Sequence, residues 1–204
     1  MKDSFPEYSS QLHTCFLTTE ANREDLAKPI LLEEAFHQAY DLILKTNQVS
    51  GKVIFIGNGG SAAIASHQAV DLWKNGGIRA VAFNDPSLLT CVSNDYGYES
   101  VFEKPIDMFA EKRDTLIAIS SSGQSPNILR AVDRAQGKGC SVITLSGFRP
   151  DNPLRRKGRL NFYVSSQSYG VVEIAHLAIC HYLADQVMSR KTPITPPQPA
   201  AHRS

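Results

Sequence analysis

The sequence predicts an α/β protein: a doubly wound, five-stranded parallel sheet with helices on both faces, preceded by N-terminal helices. Three observations predict it. Short apolar, β-branched runs return five times, at 52–56, 79–83, 115–119, 141–145 and 160–164, as strands covered on both faces do. The segments between them have helical length and period. Before Ser50-Gly51 the hydrophobic period is helical, and after it the period changes.

Taken in order, residues 4–22 can form a helix with Leu12, Cys15 and Phe16 on one side. In 29–47, Leu32, Ala35, Phe36, Ala39, Tyr40 and Ile43 recur at three- and four-residue steps, which makes one helical face. Helices are expected at 61–74, 98–109 and 126–136, each returning the chain by a right-handed crossover. The closing helix, 170–188, is apolar nearly all round, with Val171, Val172, Ile174, Ala175, Leu177, Ile179, Leu183 and Val187. One sheet cannot cover so wide an apolar surface, so part of this helix is expected in an oligomer interface. After Arg190, Pro193, Pro196, Pro197 and Pro199 stand without an apolar pattern, which predicts a disordered tail.

At 204 residues, 42% hydrophobic and 20% charged, the chain has material for the core of one medium-sized domain and is not a disordered polymer. A formal charge of +1 gives no reason to expect nucleic acid or an anionic membrane as partner. No apolar run approaches the ~20 residues of a membrane span, and the opening MKDSFPEYSS lacks a signal core. Cys15, Cys91, Cys140 and Cys180 are scattered without CxxC spacing and read as free thiols. A cytoplasmic location is the expectation.

Two loops point to an anion. Gly57-Asn58-Gly59-Gly60-Ser61 joins the first strand to its helix, where glycines allow close backbone approach and free N–H groups favour negative charge. It is not the dinucleotide fingerprint, which needs a glycine at Ala62 or Ala63. Ser120-Ser121-Ser122-Gly123-Gln124-Ser125-Pro126-Asn127 follows the third strand with four hydroxyls in six positions. Either loop alone is as easily a polar turn. Together they flank the point where strand order reverses in a doubly wound sheet, which is where ligands bind. Hydroxyls and amides without a P-loop lysine suit a phosphate monoester on a small metabolite better than a polyphosphate.

Four ionisable groups stand nearby in the pattern. His67 and Asp71 are four apart on the helix after the glycine loop and share a face. Glu173 and His181 are eight apart on the last helix, about 80° around its axis. An imidazole and a carboxylate from each helix can enclose one divalent metal such as zinc, or act without it as acid and base. A lone His–Asp pair at this spacing is more often a helix-stabilising contact. Glu173 and His181 lie in an otherwise apolar segment, where polar groups need partners. His176 between them reads as a core histidine, and Arg155, Arg156, Lys157 and Arg159 as a solvated turn.

GNGGSAAIASH (57–67), SNDYGYESVF (93–102), ISSSGQSPNIL (119–129) and the helix bearing Glu173 and His181 resemble the sugar isomerase (SIS) domain family, and within it the phosphoheptose isomerases. The resemblance covers about residues 30–189. It implies a flavodoxin-like SIS domain over 29–189, an N-terminal helical segment over 1–28 placed in the oligomer interface, and the Pro-rich tail over 190–204. It also implies interconversion of sedoheptulose 7-phosphate and glycero-manno-heptose 7-phosphate, a homotetramer with active sites shared between subunits, and one zinc ion per subunit. By the same resemblance Asn58, Gly59 and Gly60 contact the sugar. Ser61, Ser120, Ser121, Ser122 and Ser125 hold the phosphate, and Asn94 and Asp95 approach the sugar chain. His67, Asp71, Glu173 and His181 match metal and acid–base positions, with Glu173 also meeting substrate.

The chain departs from the family pattern where Asp71 replaces a glutamate, Glu173 a glutamine, and Gly170-Val171 a polar pair. The expected mechanism is ketose–aldose isomerisation through a cis-enediol. Asp71 or Glu173 removes the proton beside the carbonyl and His181 moves a proton at the neighbouring oxygen. The alternative is a catalytically silent SIS protein that binds a sugar phosphate as a regulator or tetrameric scaffold. Retention of all four ionisable groups favours the enzyme.

Overall fold

A computed structural model of the chain describes residues 4–24 and 29–189. The expected Pro-rich tail, residues 1–3 and residues 25–28 of the N-terminal segment lie outside the described residues. The chain runs α1 (Phe5–Leu17), β1 (Glu20–Asn22), β2 (Pro29–Ile30), α2 (Leu32–Gln48), β3 (Val53–Gly57), α3 (Gly60–Lys74) and β4 (Ala80–Ala82). It continues through α4 (Pro86–Tyr96), α5 (Glu103–Phe109), β5 (Thr115–Ser120), α6 (Pro126–Gly137), β6 (Ser141–Gly147), β7 (Leu160–Val164) and α7 (Tyr169–Ser189).

The expectation of a five-stranded parallel sheet is corrected: the sheet is mixed and has seven strands, ordered β2-β1-β7-β6-β5-β3-β4. The five expected strands pair in parallel. The two extra strands are antiparallel, β1 along β7 and β2 along β1. At three and two residues they are too short to carry a period; β1 falls at the end of the 4–22 stretch and β2 at the start of the 29–47 stretch, both read as helix. They cover the β7 edge, which would otherwise expose unpaired backbone. Arg155 ties β1 down. Its guanidinium donates to Asn22 Oδ1 at 2.9 Å and Glu20 at 2.5 Å and lies 4.2 Å from the Tyr163 ring centroid. Arg155 is therefore not part of a solvated turn.

A second correction concerns the stretch after β4. A helix was expected at 98–109, but the chain first forms α4, then turns at Gly97 and passes a short 3₁₀ turn before α5. The Asp85 carboxylate starts α4 by accepting the N–H groups of Ser87 and Leu88, with Pro86 in the first turn. No residue of α4 is fully buried; Leu89 and Val92 pack only partly against the core, a stripe too short to mark a helix in the sequence.

The central strands feed two cores, because successive side chains point to opposite faces. Val53, Phe55, Ile117 and Ile119 pack beneath α2, α3 and α7. Ile54, Ile56, Leu116 and Ala118 pack with Phe102 and Ile106 of the α5 region and Ile128 and Val132 of α6. No helix among the described residues is long and apolar enough to cross a membrane.

Candidate active site

Among the five parallel strands the order is second, first, third, fourth, fifth, so the chain reverses direction between β3 and β5. Both loops singled out in the sequence leave the carboxyl ends of those two strands. Each runs straight into a helix, α3 or α6, so a helix N-terminus stands at the end of each loop.

The loops close on one another through amides. Asn58 Nδ2 donates to Asn127 Oδ1 at 3.0 Å, and Asn127 Nδ2 returns a bond to Asn58 Oδ1 at 2.8 Å. Tyr98 Oη also donates to Asn58 Oδ1, at 3.1 Å. Beside this pair lies a crevice of about 130 Å³, lined by Asn58, Ser61, Ser120, Ser121, Ser122 and Ser125, with Tyr169 and Glu173 from α7. Among the described residues no lysine or arginine lines it. Ser120 Oγ accepts the Gly123 N–H at 3.2 Å and lies 3.4 Å from Ser125 Oγ. Ser121 Oγ is buried and has no hydrogen-bond partner among the described residues, which is costly unless a ligand supplies one. Gly59, at φ 54°, takes a conformation that side chains disfavour, and Gly60 lets Glu173 approach. A β-carbon on Gly60 would lie 2.5 Å from both carboxylate oxygens.

Further along the same two helices, His67 Nε2 is 3.3 Å and His181 Nδ1 is 3.6 Å from Asp71 Oδ2. One donor atom from each of the three lies within 4.8 Å of the others, so the cluster can hold a metal ion. Two imidazoles and a carboxylate are the donors of a three-ligand zinc site with an open position. Glu173 is not in this cluster. It sits eight residues before His181, about 12 Å along the helix axis, against the crevice instead. Of the four residues expected to hold a metal, the chain brings His67, Asp71 and His181 together and leaves Glu173 at the crevice.

Asn94 and Asp95 end α4, exposed and bonded to one another at 2.8 Å, and do not line the crevice. His176 is fully buried with Nε2 3.1 Å from the Ser146 carbonyl, and burial pushes its pKa down to about 4. All four cysteines are free thiols. Sequence reasoning missed Tyr98 and Tyr169. Tyr169 was detectable as the residue opening the helix after the last strand, at the same sheet edge as the loops.

A hydroxyl and amide cradle at the reversal point of a doubly wound sheet, beside carboxylate and imidazole groups, defines a protein that handles a small phosphorylated metabolite. The chain belongs to the SIS domain family, whose model matches residues 24–147. It is 34% identical over 172 residues to a phosphoheptose isomerase of Helicobacter pylori (strain P12), covering 81% of this chain and 89% of that one. Among solved structures it is similar to the phosphoheptose isomerase of Neisseria gonorrhoeae, at 33% identity, covering 77% and 87% of the two chains with a TM-score of 0.71. It is also similar to that of Francisella tularensis, at 27% identity, 91% and 96% coverage and a TM-score of 0.78.

Proposed function

We propose that the chain is a sugar-phosphate isomerase acting on a heptose 7-phosphate, interconverting sedoheptulose 7-phosphate and its aldose by a cis-enediol route. The observation that carries this reading is the crevice in which Ser61 and the serines of the β5–α6 loop converge beside Glu173. Its hydroxyls and helix N-termini suit a phosphate, and it is too small for a seven-carbon chain as well. Gripping the phosphate there leaves the carbonyl end to extend beyond the rim, so that binding far from the chemistry positions the reacting carbons.

Groups that meet the carbonyl end must then stand away from the serines. Asp71 and His181 do, and the imidazoles of the cluster are open to the surface. Asp71 uses one oxygen toward both imidazoles, while the other receives only a 3.3 Å bond from Asn75. That second oxygen takes the proton beside the carbonyl, and His181 moves a proton between the neighbouring oxygens. Glu173 orients hydroxyls nearer the phosphate. A divalent cation such as zinc, held by His67, Asp71 and His181, would supply electrophilic polarisation of the carbonyl. The cradle of one copy facing the cluster of another accounts for the separation along α7. It also gives a use to Ile174 and Tyr182, which α7 leaves exposed. A homotetramer is the assembly this reading favours.

The test is incubation of the purified protein with sedoheptulose 7-phosphate in deuterated water. Deuterium at the carbon beside the carbonyl supports the reading. Tight binding without exchange would make the chain a sensor of sugar phosphate rather than an enzyme.

A further inference from the structure

We propose that Tyr169, braced by Phe148, forms an aromatic wall that holds the carbon chain of the phosphorylated sugar. The inference rests on the isomerase reading and adds a specificity-determining residue to it. Phe148 has φ 57°, and it and Ser50 are the two non-glycine residues with positive φ among those described. A bulky residue there is strained and persists only where its surroundings impose it. Three hydrogen bonds do so. The Phe148 N–H donates to the Ser166 carbonyl at 3.1 Å, and the Phe148 carbonyl accepts from Tyr163 Oη at 2.8 Å and Gln167 Nε2 at 2.9 Å. They bind the end of β6 to β7 and to the loop that leads into α7.

The strained conformation has a geometric result. The Phe148 ring meets the Tyr169 ring edge-on, with centroids 4.6 Å apart and an angle of 89°. Tyr169 is thereby held at the crevice although 64% of its surface is exposed. It stands four residues before Glu173, so ring and carboxylate share one face of α7. A large exposed aromatic beside a polar cradle is wasted on the phosphate. It matches the C–H faces of a sugar chain leaving the cradle. Tyr169 is the group that touches substrate, and Phe148 is a positioning residue that acts through it.

The experiment compares the full chain with Tyr169→Ala, Tyr169→Phe, Phe148→Ala and Phe148→Tyr, measuring affinity for sedoheptulose 7-phosphate and for inorganic phosphate. Tyr169→Ala should weaken the sugar phosphate about tenfold while leaving inorganic phosphate unchanged, and should raise KM more than it lowers kcat. Tyr169→Phe should stay within about twofold of the parent. Phe148→Ala should show the same selective loss and Phe148→Tyr should restore it. If Phe148→Ala fails to fold, the Tyr169 pair carries the test. Unchanged sugar-phosphate affinity in Tyr169→Ala, or an equal loss for both ligands, overturns the wall and leaves the isomerase reading standing. A parent protein that binds inorganic phosphate but no phosphorylated sugar overturns both.

Discussion

Gly60 and the carboxylate of Glu173 occupy adjoining space, so close that a single added carbon on Gly60 would sit 2.5 Å from both Glu173 oxygens. The contact joins the first turn of α3 to α7 at the lip of the serine crevice. Gly60→Ala should therefore push Glu173 aside without unfolding the chain, since only the end of a flexible side chain must yield. Helix propensity favours the alanine by up to about 1 kcal/mol. The expected outcome is a melting temperature within a few degrees of the parent and a loss in kcat/KM of about tenfold or more. A variant with full activity would show that the position of Glu173 is irrelevant.

The buried, unpartnered hydroxyl of Ser121 makes stability and function separable. Ser121→Ala removes a polar atom that no protein group satisfies, so stability should hold or rise slightly. A phosphate seated in the crevice would lose one donor, worth about 1.5 kcal/mol or roughly tenfold in affinity for a charged acceptor. Thermal melts and phosphate titration of the same preparation check both halves. A large fall in melting temperature would contradict the assignment of this hydroxyl to a ligand.

How much of this was legible beforehand depends on what each feature leaves in a sequence. Four of the five parallel strands were visible because burial on both faces makes them largely apolar, the half-buried edge strand β4 because its short run is apolar as well, and the serine loop because four hydroxyls crowd one strand end. The edge strands β1 and β2 were not, since strands of three and two residues carry no period, and β1 is held by Arg155 from far along the chain. Helix α4 was hidden for a different reason: only Leu89 and Val92 pack partly against the core, so beyond its cap at Asp85 it leaves a short apolar trace. At the site, the i, i+4 spacing of His67 and Asp71 was readable, and their meeting with His181 agrees with that pattern. Glu173 stands apart from them within the chain, for a reason of helix geometry. Eight residues place Glu173 and His181 on nearby faces but about 12 Å apart along the axis.

The cluster of His67, Asp71 and His181 should bind one divalent cation per chain. Adding zinc to chelator-treated protein should raise the melting temperature, since a ligand at a hundred times its dissociation constant adds about 2.7 kcal/mol. His67→Ala should remove that response. Its imidazole is half exposed, so the apo variant should melt close to the parent. Metal content and melting curves are read together. Equal zinc stabilisation in parent and variant would place the cation elsewhere.

His176 gives the fold a pH dependence of definite sign. Desolvation holds its folded pKa down at about 4, against an ordinary 6.5, with the Ser146 carbonyl opposing only in part. The unfolded chain therefore binds the proton first as pH falls. The contribution of neutral His176 is fully present above pH 6.5 and is lost between 6.5 and about 4. The full span is about 3 kcal/mol, from 1.36 kcal/mol per pKa unit. Below the folded value both states are protonated and this slope disappears. His176→Gln can keep a donor to the Ser146 carbonyl but has no proton to gain. Urea titrations from pH 7 down to 4.5 should show the parent losing stability steadily, and the variant losing less by a margin that grows as the pH drops. Parallel curves for the two proteins would mean that other groups govern the acid limb.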